Sequence, residues 1–155
     1  MASTNEDVVV LATARLDDGR LLVVRHLPPD RGTVELGWWV RDENGAMAPG
    51  PSMLELAAET VEVGAVAQLC TRLAGVRWGT AAEDQTVAAT PPATDGAQVV
   101  AVCAGDGLRL VRQPEGGELT LPSPAALDLL VATFPAARRK LEALGFGLVQ
   151  QGGQV

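Results

Sequence analysis

Three glutamates occur at positions 55, 59 and 62, within residues 51–63. This stretch is predicted to begin a helix, because Ser52 can cap its N-terminus and Glu55, three residues later, completes the capping pattern S-x-x-E. Spacings of four and three residues place Glu55, Glu59 and Glu62 on one face of an α-helix. Three carboxylates on one face could hold a divalent cation and, through it, a phosphate. The alternative is a solvated helix face on which Glu55 serves only the cap.

A second group of candidates combines aromatic and basic residues. Trp38 and Trp39 lie in a predicted strand, so their side chains should point to opposite faces. One is expected in the core, and the other could stack on a nucleobase or anchor a protein partner. Arg25 and Arg41 follow apolar strand-like segments and could contact phosphate through paired hydrogen bonds. The alternatives are structural packing for both tryptophans and solvated strand ends for both arginines.

Composition narrows the chemistry that this chain could perform. Its 155 residues fit one domain, and its net charge of −7 argues against binding to a nucleic acid duplex. The single histidine, His26, is expected in a loop, which argues against histidine-based metal sites and Ser-His-Asp triads. Cys70 and Cys103 form no ligand-like cluster and are predicted to be buried free thiols. Any catalysis would therefore depend mainly on carboxylates.

The N-terminal half is predicted to be mostly strand. Apolar runs at 8–14 and 21–25, joined by an Asp-Gly turn, indicate a β-hairpin. A strand with a bulge at Gly37 is predicted for 33–40, and a loop for 41–49. The predicted helix from Ser52 extends to Val63 or, past Gly64, to Leu73. The order of these segments favours an α+β or layered α/β/α domain.

The C-terminal half is predicted to contain strands and a closing helix. Strands are expected within 76–78, 85–90, 98–104 and 108–111. Residues 123–144 have a helical pattern that Pro135 should break into two pieces, with Gly145 as the C-cap. The two apolar hairpins resemble each other, which is compatible with an internal repeat. The expected organisation is a disordered N-terminus at 1–6, a single domain at 7–149 and a flexible tail at 150–155.

Several segments, in the right order, resemble a degenerate member of the Nudix hydrolase family. The first hairpin and the V-E-L-G strand at 34–37 are similar to the family's opening elements. The segment L-E-L-A-A-E-T-V at 54–61 resembles the core R-E-L-x-E-E-T-G of the Nudix box. Residues 132–142 resemble the helix that often closes domains of this family. The resemblance implies an α/β/α sandwich with a mixed sheet and two main helices.

The box is incomplete in this chain. Glu55 matches the first glutamate of its R-E pair, and Glu59 matches the last glutamate of its E-E pair. Other box positions carry unlike residues: Val40, Ala46, Leu54, Ala58 and Val61. Glu62 occupies an aliphatic position of the box, and as a third metal ligand it could replace the missing carboxylate.

Two functions follow as alternatives from this resemblance. The first is hydrolysis of a nucleoside diphosphate linked to another group, with Glu55 and Glu59 as catalytic residues and Glu55, Glu59 and Glu62 holding Mg²⁺ or Mn²⁺. Trp38, Trp39, Arg25 and Arg41 would bind the substrate of this hydrolase. The second is a catalytically inactive module that binds a nucleotide or a protein through the region of Trp38 and Trp39.

A homodimer is also compatible with the sequence, and a bare oligomerisation domain is a third alternative. No apolar run approaches the roughly 20 residues that span a bilayer, and the N-terminus does not resemble a signal peptide. We therefore expect a cytoplasmic protein without a membrane partner.

Overall fold

The first sheet begins with the hairpin that the Asp-Gly turn predicts. In the computed structural model, Leu16 donates its N–H to the Arg20 carbonyl at 2.8 Å, and Gly19 supplies the positive φ of 96° that the turn requires. Four antiparallel strands lie side by side in chain order: β1 (Val9–Arg15), β2 (Leu21–His26), β3 (Thr33–Arg41) and β4 (Met47–Ala57). The register shifts between Gly37 and Trp39, which confirms the predicted irregularity in β3.

The structure describes residues 8–27, 33–57, 62–74, 82–92, 96–105 and 107–143, with the backbone alone for Pro51 and Ser52. Several sequence predictions fall outside these residues. They concern the N-terminus at 1–6, the strand at 76–78, the cap at Gly145 and the tail at 150–155.

The helix predicted to begin at Ser52 is wrong over residues 52–57, where the chain forms the second half of β4. Leu54 and Leu56 are buried while Glu55 between them is exposed, which is the two-residue period of a strand. Pairing with β3 places Leu54 opposite Leu36 in the core, and this burial outweighs a local capping signal. The described part of the helix, α1, runs over Glu62–Ala74.

The loop predicted for 41–49 is a shorter turn. The Asp42 carboxylate accepts hydrogen bonds from the N–H groups of Asn44 and Ala46, at 2.8 and 3.0 Å, and β4 already begins at Met47. An aspartate that accepts from the backbone two residues later is a common way to close a turn.

The second sheet has the same arrangement as the first. Its antiparallel strands also lie in chain order: β5 (Thr86–Ala89), β6 (Gln98–Ala104), β7 (Gly107–Gln113) and β8 (Glu118–Leu121). The strands predicted within 85–90, 98–104 and 108–111 are confirmed, whereas β8 was not predicted. Its four residues alternate half-buried and buried positions, a run too short to stand out in the sequence.

The closing helix, α2, is continuous over Pro124–Ala143, so the predicted break at Pro135 is wrong. Pro135 is exposed, whereas Phe134 and Ala137 on either side of it are buried. Packing of this apolar face compensates for the hydrogen bond that the proline ring removes. Within the described residues, no helix is long and apolar enough to cross a membrane.

The described chain is α+β, and the order of four antiparallel strands followed by a helix occurs twice. Every strand pairing among the described residues is antiparallel, whereas the family resemblance implied a mixed sheet. The two hairpins that look alike in sequence are not equivalent by position. One is β1–β2 of the first sheet and the other is β6–β7, the middle pair of the second.

One hydrophobic core includes residues from both sheets and both helices. The sheets meet where Leu54 of β4 bridges Gly117, and where the Glu55 N–H donates to the Gly116 carbonyl at 2.8 Å. Trp38 adds a side-chain link, because its indole Nε1–H donates to the Thr120 carbonyl at 2.6 Å. Strand alternation therefore places one face of the first sheet in this core and leaves the other face outside.

Candidate functional site

Glu55 lies on the outer face of the first sheet, in a row of four aligned residues. Val10, Arg25, Glu35 and Glu55 follow one another across β1 to β4. Arg25 donates two hydrogen bonds to Oε1 of Glu35, from Nε at 2.9 Å and from Nη2 at 2.5 Å. The carboxylate directly across from Glu55 is therefore already neutralised by an arginine.

Glu62 is buried at the first turn of α1, and its side chain is 8% exposed. Nε and Nη2 of Arg112 in β7 donate to its two carboxylate oxygens, and Nη1 of the same arginine donates to the Glu115 carbonyl at 2.7 Å. A carboxylate at a helix N-terminus is also favoured by the helix dipole. Glu62 thus connects α1 to the second sheet.

The predicted one-face arrangement of three carboxylates is wrong for Glu55 and Glu62, because one lies on a strand and the other on a helix. Glu59, with Ala58 and Val61, lies outside the described residues. Within the part of the chain that the structure describes, no group of three histidine, cysteine, aspartate or glutamate side chains could hold a metal ion.

An open cleft of about 400 Å³ lies beside Glu55 where the two sheets meet. Its lining includes Glu55, Arg112 and Glu115. The Arg112 guanidinium is committed to Glu62, so it is a poor partner for a phosphate in this cleft. The cleft therefore brings the candidate Glu55 beside groups that already have partners.

Trp38 and Trp39 point to opposite faces, as predicted. Trp38 is 4% exposed and belongs to the core, whereas Trp39 is half-buried on the outer face. The Arg25 guanidinium carbon lies 5.3 Å from the centroid of the Trp39 ring, within cation–π range. Arg41, two residues further along β3, donates from Nη1 to the Gly45 carbonyl at 2.7 Å, which closes the β3–β4 turn.

Trp39 and Arg25 line a shallow, mostly apolar depression of about 500 Å³ on the outer face of the first sheet. We call this surface the Trp39 face, and its residues are Val8, Val10, Thr13, Leu21, Val23, Arg25, Trp39 and Met47. Val10 is 45% exposed despite its apolar side chain. The aliphatic members of the face were not predicted, although the unbroken apolar runs at 8–14 and 21–25 indicate strands that are apolar on both faces.

The remaining polar candidates are buried in the core. His26 ends β2 and is 2% exposed, so its predicted place in a loop is wrong; β2 extends through it because His26 pairs with Val34. Cys70 and Cys103 are buried free thiols, as predicted. Burial raises the pKa of the Cys70 thiol to about 12, which leaves it protonated and unreactive at neutral pH.

The described geometry thus keeps Glu55 on the same outer sheet face as Arg25 and Trp39 but places Glu62 elsewhere. The carboxylates are divided between a strand and a buried ion pair, whereas an arginine and a tryptophan meet on an apolar sheet face. Comparisons with protein-family models, curated proteins and solved structures find no match to this chain.

Proposed function

We propose that this chain is a protein-binding module without metal-dependent catalysis, and that the Trp39 face is its binding surface. The observation that carries the proposal is a partly exposed apolar surface around a tryptophan. A partner that covers such a patch removes apolar surface from water, which favours binding. Tryptophan is among the residues that contribute most to the binding free energy of interfaces. The exposed Val10 beside Trp39 extends the area that a partner would cover.

The charges on this face favour a protein over a nucleotide. Arg25 is paired with Glu35 and also lies over the Trp39 ring. A nucleotide phosphate would have to displace the Glu35 carboxylate before it could use that arginine, and a base would have to displace the guanidinium from the ring. An apolar protein surface requires neither change, and a charge pair at the rim adds specificity.

A second copy of this chain is the first partner to test. In a two-fold dimer the same patch is used twice, and the one charged residue of the Trp39 face, Arg25, is already paired with Glu35, so the face can pack against its own copy without burying an unpaired charge. Sedimentation equilibrium over a range of protein concentrations measures this association directly.

The matched variants are Val10→Glu and Val40→Glu, because Val10 and Val40 are the two exposed large aliphatic side chains among the described residues. Val10 lines the Trp39 face and Val40 does not. We expect Val10→Glu to abolish self-association and Val40→Glu to retain it. A monomeric wild-type chain would contradict this choice of partner. Equal behaviour of the two variants would contradict the choice of surface.

A Nudix-like, metal-dependent hydrolase is the second candidate, and one observation favours it. Glu55 is exposed beside an open cleft and lies directly across from Glu35, so two carboxylates are adjacent on neighbouring strands. Glu59 follows four residues later in the sequence. In this proposal Glu55 and Glu59 hold Mg²⁺ or Mn²⁺, which would lower the pKa of an attacking water.

Calorimetric titration with Mn²⁺, followed by incubation with a panel of nucleotides, separates the two proposals. A non-catalytic binding module should show no saturable Mn²⁺ site and no hydrolysis. A saturable site that is weakened in both Glu55→Gln and Glu59→Gln, with loss of hydrolysis, would overturn the binding-module proposal. Asp17→Asn is a control that removes a carboxylate from the β1–β2 turn instead.

A further inference from the structure

A groove of about 570 Å³ runs between α1 and α2, on the side of the helices away from the core. We call it the interhelix groove. Its apolar part is formed by Ala67, Val131, Phe134 and Pro135, and its basic part by Arg72, Arg138 and Arg139; Gln68, Thr71 and one carboxylate, Glu142, complete the lining. Phe134 is almost fully buried and Val131 is half-buried, so they form a floor while the arginines stand at the sides.

The arginines of the groove differ from four of the six other arginines that the structure describes. Four arginines outside the groove each pair with a carboxylate: Arg20 with Asp18, Arg25 with Glu35, Arg109 with Asp84 and Arg112 with Glu62. None of the three groove arginines has a carboxylate oxygen within 4.0 Å among the described residues. The groove therefore has an excess of positive charge, three arginines against the single carboxylate of Glu142, in a chain whose net charge is −7.

The positive charges are spread along the groove. The Arg138 guanidinium lies beside Gly64, where an added Cβ would be 3.4 Å from Nη2. Arg72 follows Gly64 by two turns of the same helix, which is about 12 Å along its axis. A single phosphate is too small to contact both ends, so the spacing favours an elongated ligand with several anionic groups.

We propose that the interhelix groove binds an acidic amphipathic peptide segment of a partner protein. The apolar side chains of the segment would cover Val131 and Pro135, and its carboxylates would pair with the arginines along the sides. Arginine forms paired hydrogen bonds with carboxylates, and an amphipathic helix lying in an apolar groove is a recurring mode of peptide recognition. The proposal is independent of the Trp39 face, which lies on the first sheet.

The test is fluorescence anisotropy with a labelled synthetic peptide in which leucine and glutamate alternate at helical spacing. Arg72→Glu and Arg139→Glu should each weaken binding by about tenfold or more, because each places like charges together. Arg15→Glu is the matched control, since Arg15 is exposed on β1 and lies outside the groove. We expect it to change the affinity by less than about twofold.

A second peptide, with every leucine replaced by serine, tests the apolar floor. It should bind much more weakly than the leucine peptide, and inorganic phosphate should compete poorly with the leucine peptide. Equal affinity for the two peptides, or equal losses in Arg15→Glu and Arg139→Glu, would overturn the proposal. Efficient competition by phosphate would also overturn it, in favour of a small-anion site. Because Arg72 and Arg139 are exposed, all three variants should retain the wild-type unfolding transition, measured by circular dichroism.

Discussion

Trp38 and Trp39 are adjacent in β3, but their side chains lie on opposite faces of the sheet and differ in burial. Trp38 is in the core and donates to the Thr120 carbonyl of the second sheet, whereas Trp39 is half-buried on the outer face. We expect Trp38→Ala to lower the free energy of unfolding by about 3–5 kcal/mol, as large-to-small changes in cores do. Trp39→Ala should cost only about 1 kcal/mol. Urea unfolding of both variants measures the difference, and similar losses would contradict the assigned faces.

The ion pair between Glu62 and Arg112 is the most buried ion pair among the described residues, with side chains 8% and 15% exposed. Glu62→Leu removes the carboxylate that pairs with a largely buried arginine and should cost about 3–5 kcal/mol of unfolding free energy. The double variant Glu62→Leu, Arg112→Met should cost less than the single one, because no buried charge then remains.

The ion pair between Arg109 and Asp84 is the control for these Glu62 and Arg112 variants, since the Asp84 side chain is 67% exposed. Asp84→Asn should change the unfolding free energy by less than about 1 kcal/mol. If the double variant lost as much unfolding free energy as the Glu62→Leu and Arg112→Met variants lose in sum, the two side chains would not act together.

Cys70 gives the chain a defined pH dependence. Its thiol has a pKa raised by burial from the ordinary 9.0 to about 12, so above pH 9.0 the unfolded chain loses this proton while the folded chain keeps it. Stability should therefore fall as pH rises from 9.0 towards 12, with a slope of up to about 1.4 kcal/mol per pH unit.

Urea unfolding at pH values on either side of 9.0 measures this slope. Few other side chains titrate in this pH range, because the chain has no tyrosine and Lys140 is its only lysine. Cys70→Ala should remove most of the slope, whatever its effect on stability at neutral pH. An unchanged slope in that variant would assign the pH dependence to another group.

At the scale of the elements, β4 is where local signals and the fold disagree. The residues 52–57 fit both a capped helix and an alternating strand, and such a short run cannot separate the two periods. β3 decides the outcome, because it offers a partner that buries Leu54 and Leu56. The hairpin β1–β2 was predictable because its signal, Asp18-Gly19 between two apolar runs, is entirely local.

The junction of the two sheets depends on a glycine. Gly117 has φ 77°, and a Cβ added to it would lie 2.3 Å from the Met53 carbonyl oxygen. Gly117→Ala should therefore combine left-handed strain with a steric clash, for a loss of about 2–4 kcal/mol. Gly96→Ala is the matched control, because Gly96 has φ 87° and nothing within 4 Å of the added atom.

Gly96→Ala should cost only about 1–2 kcal/mol, the strain of the backbone alone. Thermal unfolding of the two variants under identical conditions compares them. If Gly96→Ala proved as damaging as Gly117→Ala, close contact between the sheets would not be the reason for the glycine at position 117.

At the scale of the whole molecule, the two halves repeat one order of elements but share a single core. We expect fragments cut between Ala74 and Ala82 to be unfolded when expressed separately, because each half would expose the apolar face that the other covers. Co-expressed fragments should associate and recover the circular dichroism spectrum of the intact chain. A separately expressed half with a cooperative unfolding transition would contradict this expectation.

Only those features of the candidate site that depend on local geometry could be predicted from the sequence. The opposite faces of Trp38 and Trp39 follow from strand geometry alone, so the sequence was sufficient. Glu62 and Arg112 are 50 positions apart, and no local sequence pattern predicts that they pair. The predicted carboxylate face depended on one helix, so a single error of element type was enough to separate Glu55 from Glu62.

The order of the strands also has a consequence for the folding rate. Each sheet pairs only strands that are neighbours in the chain, so most of its contacts close short loops and cost little chain entropy. The hydrogen bond from Trp38 to Thr120 spans 82 positions, so it closes a far longer loop than any strand pairing within either sheet. Strand pairing within each meander can therefore begin early, but neither meander is expected to be stable until the two dock across this contact, so docking should limit the rate of folding.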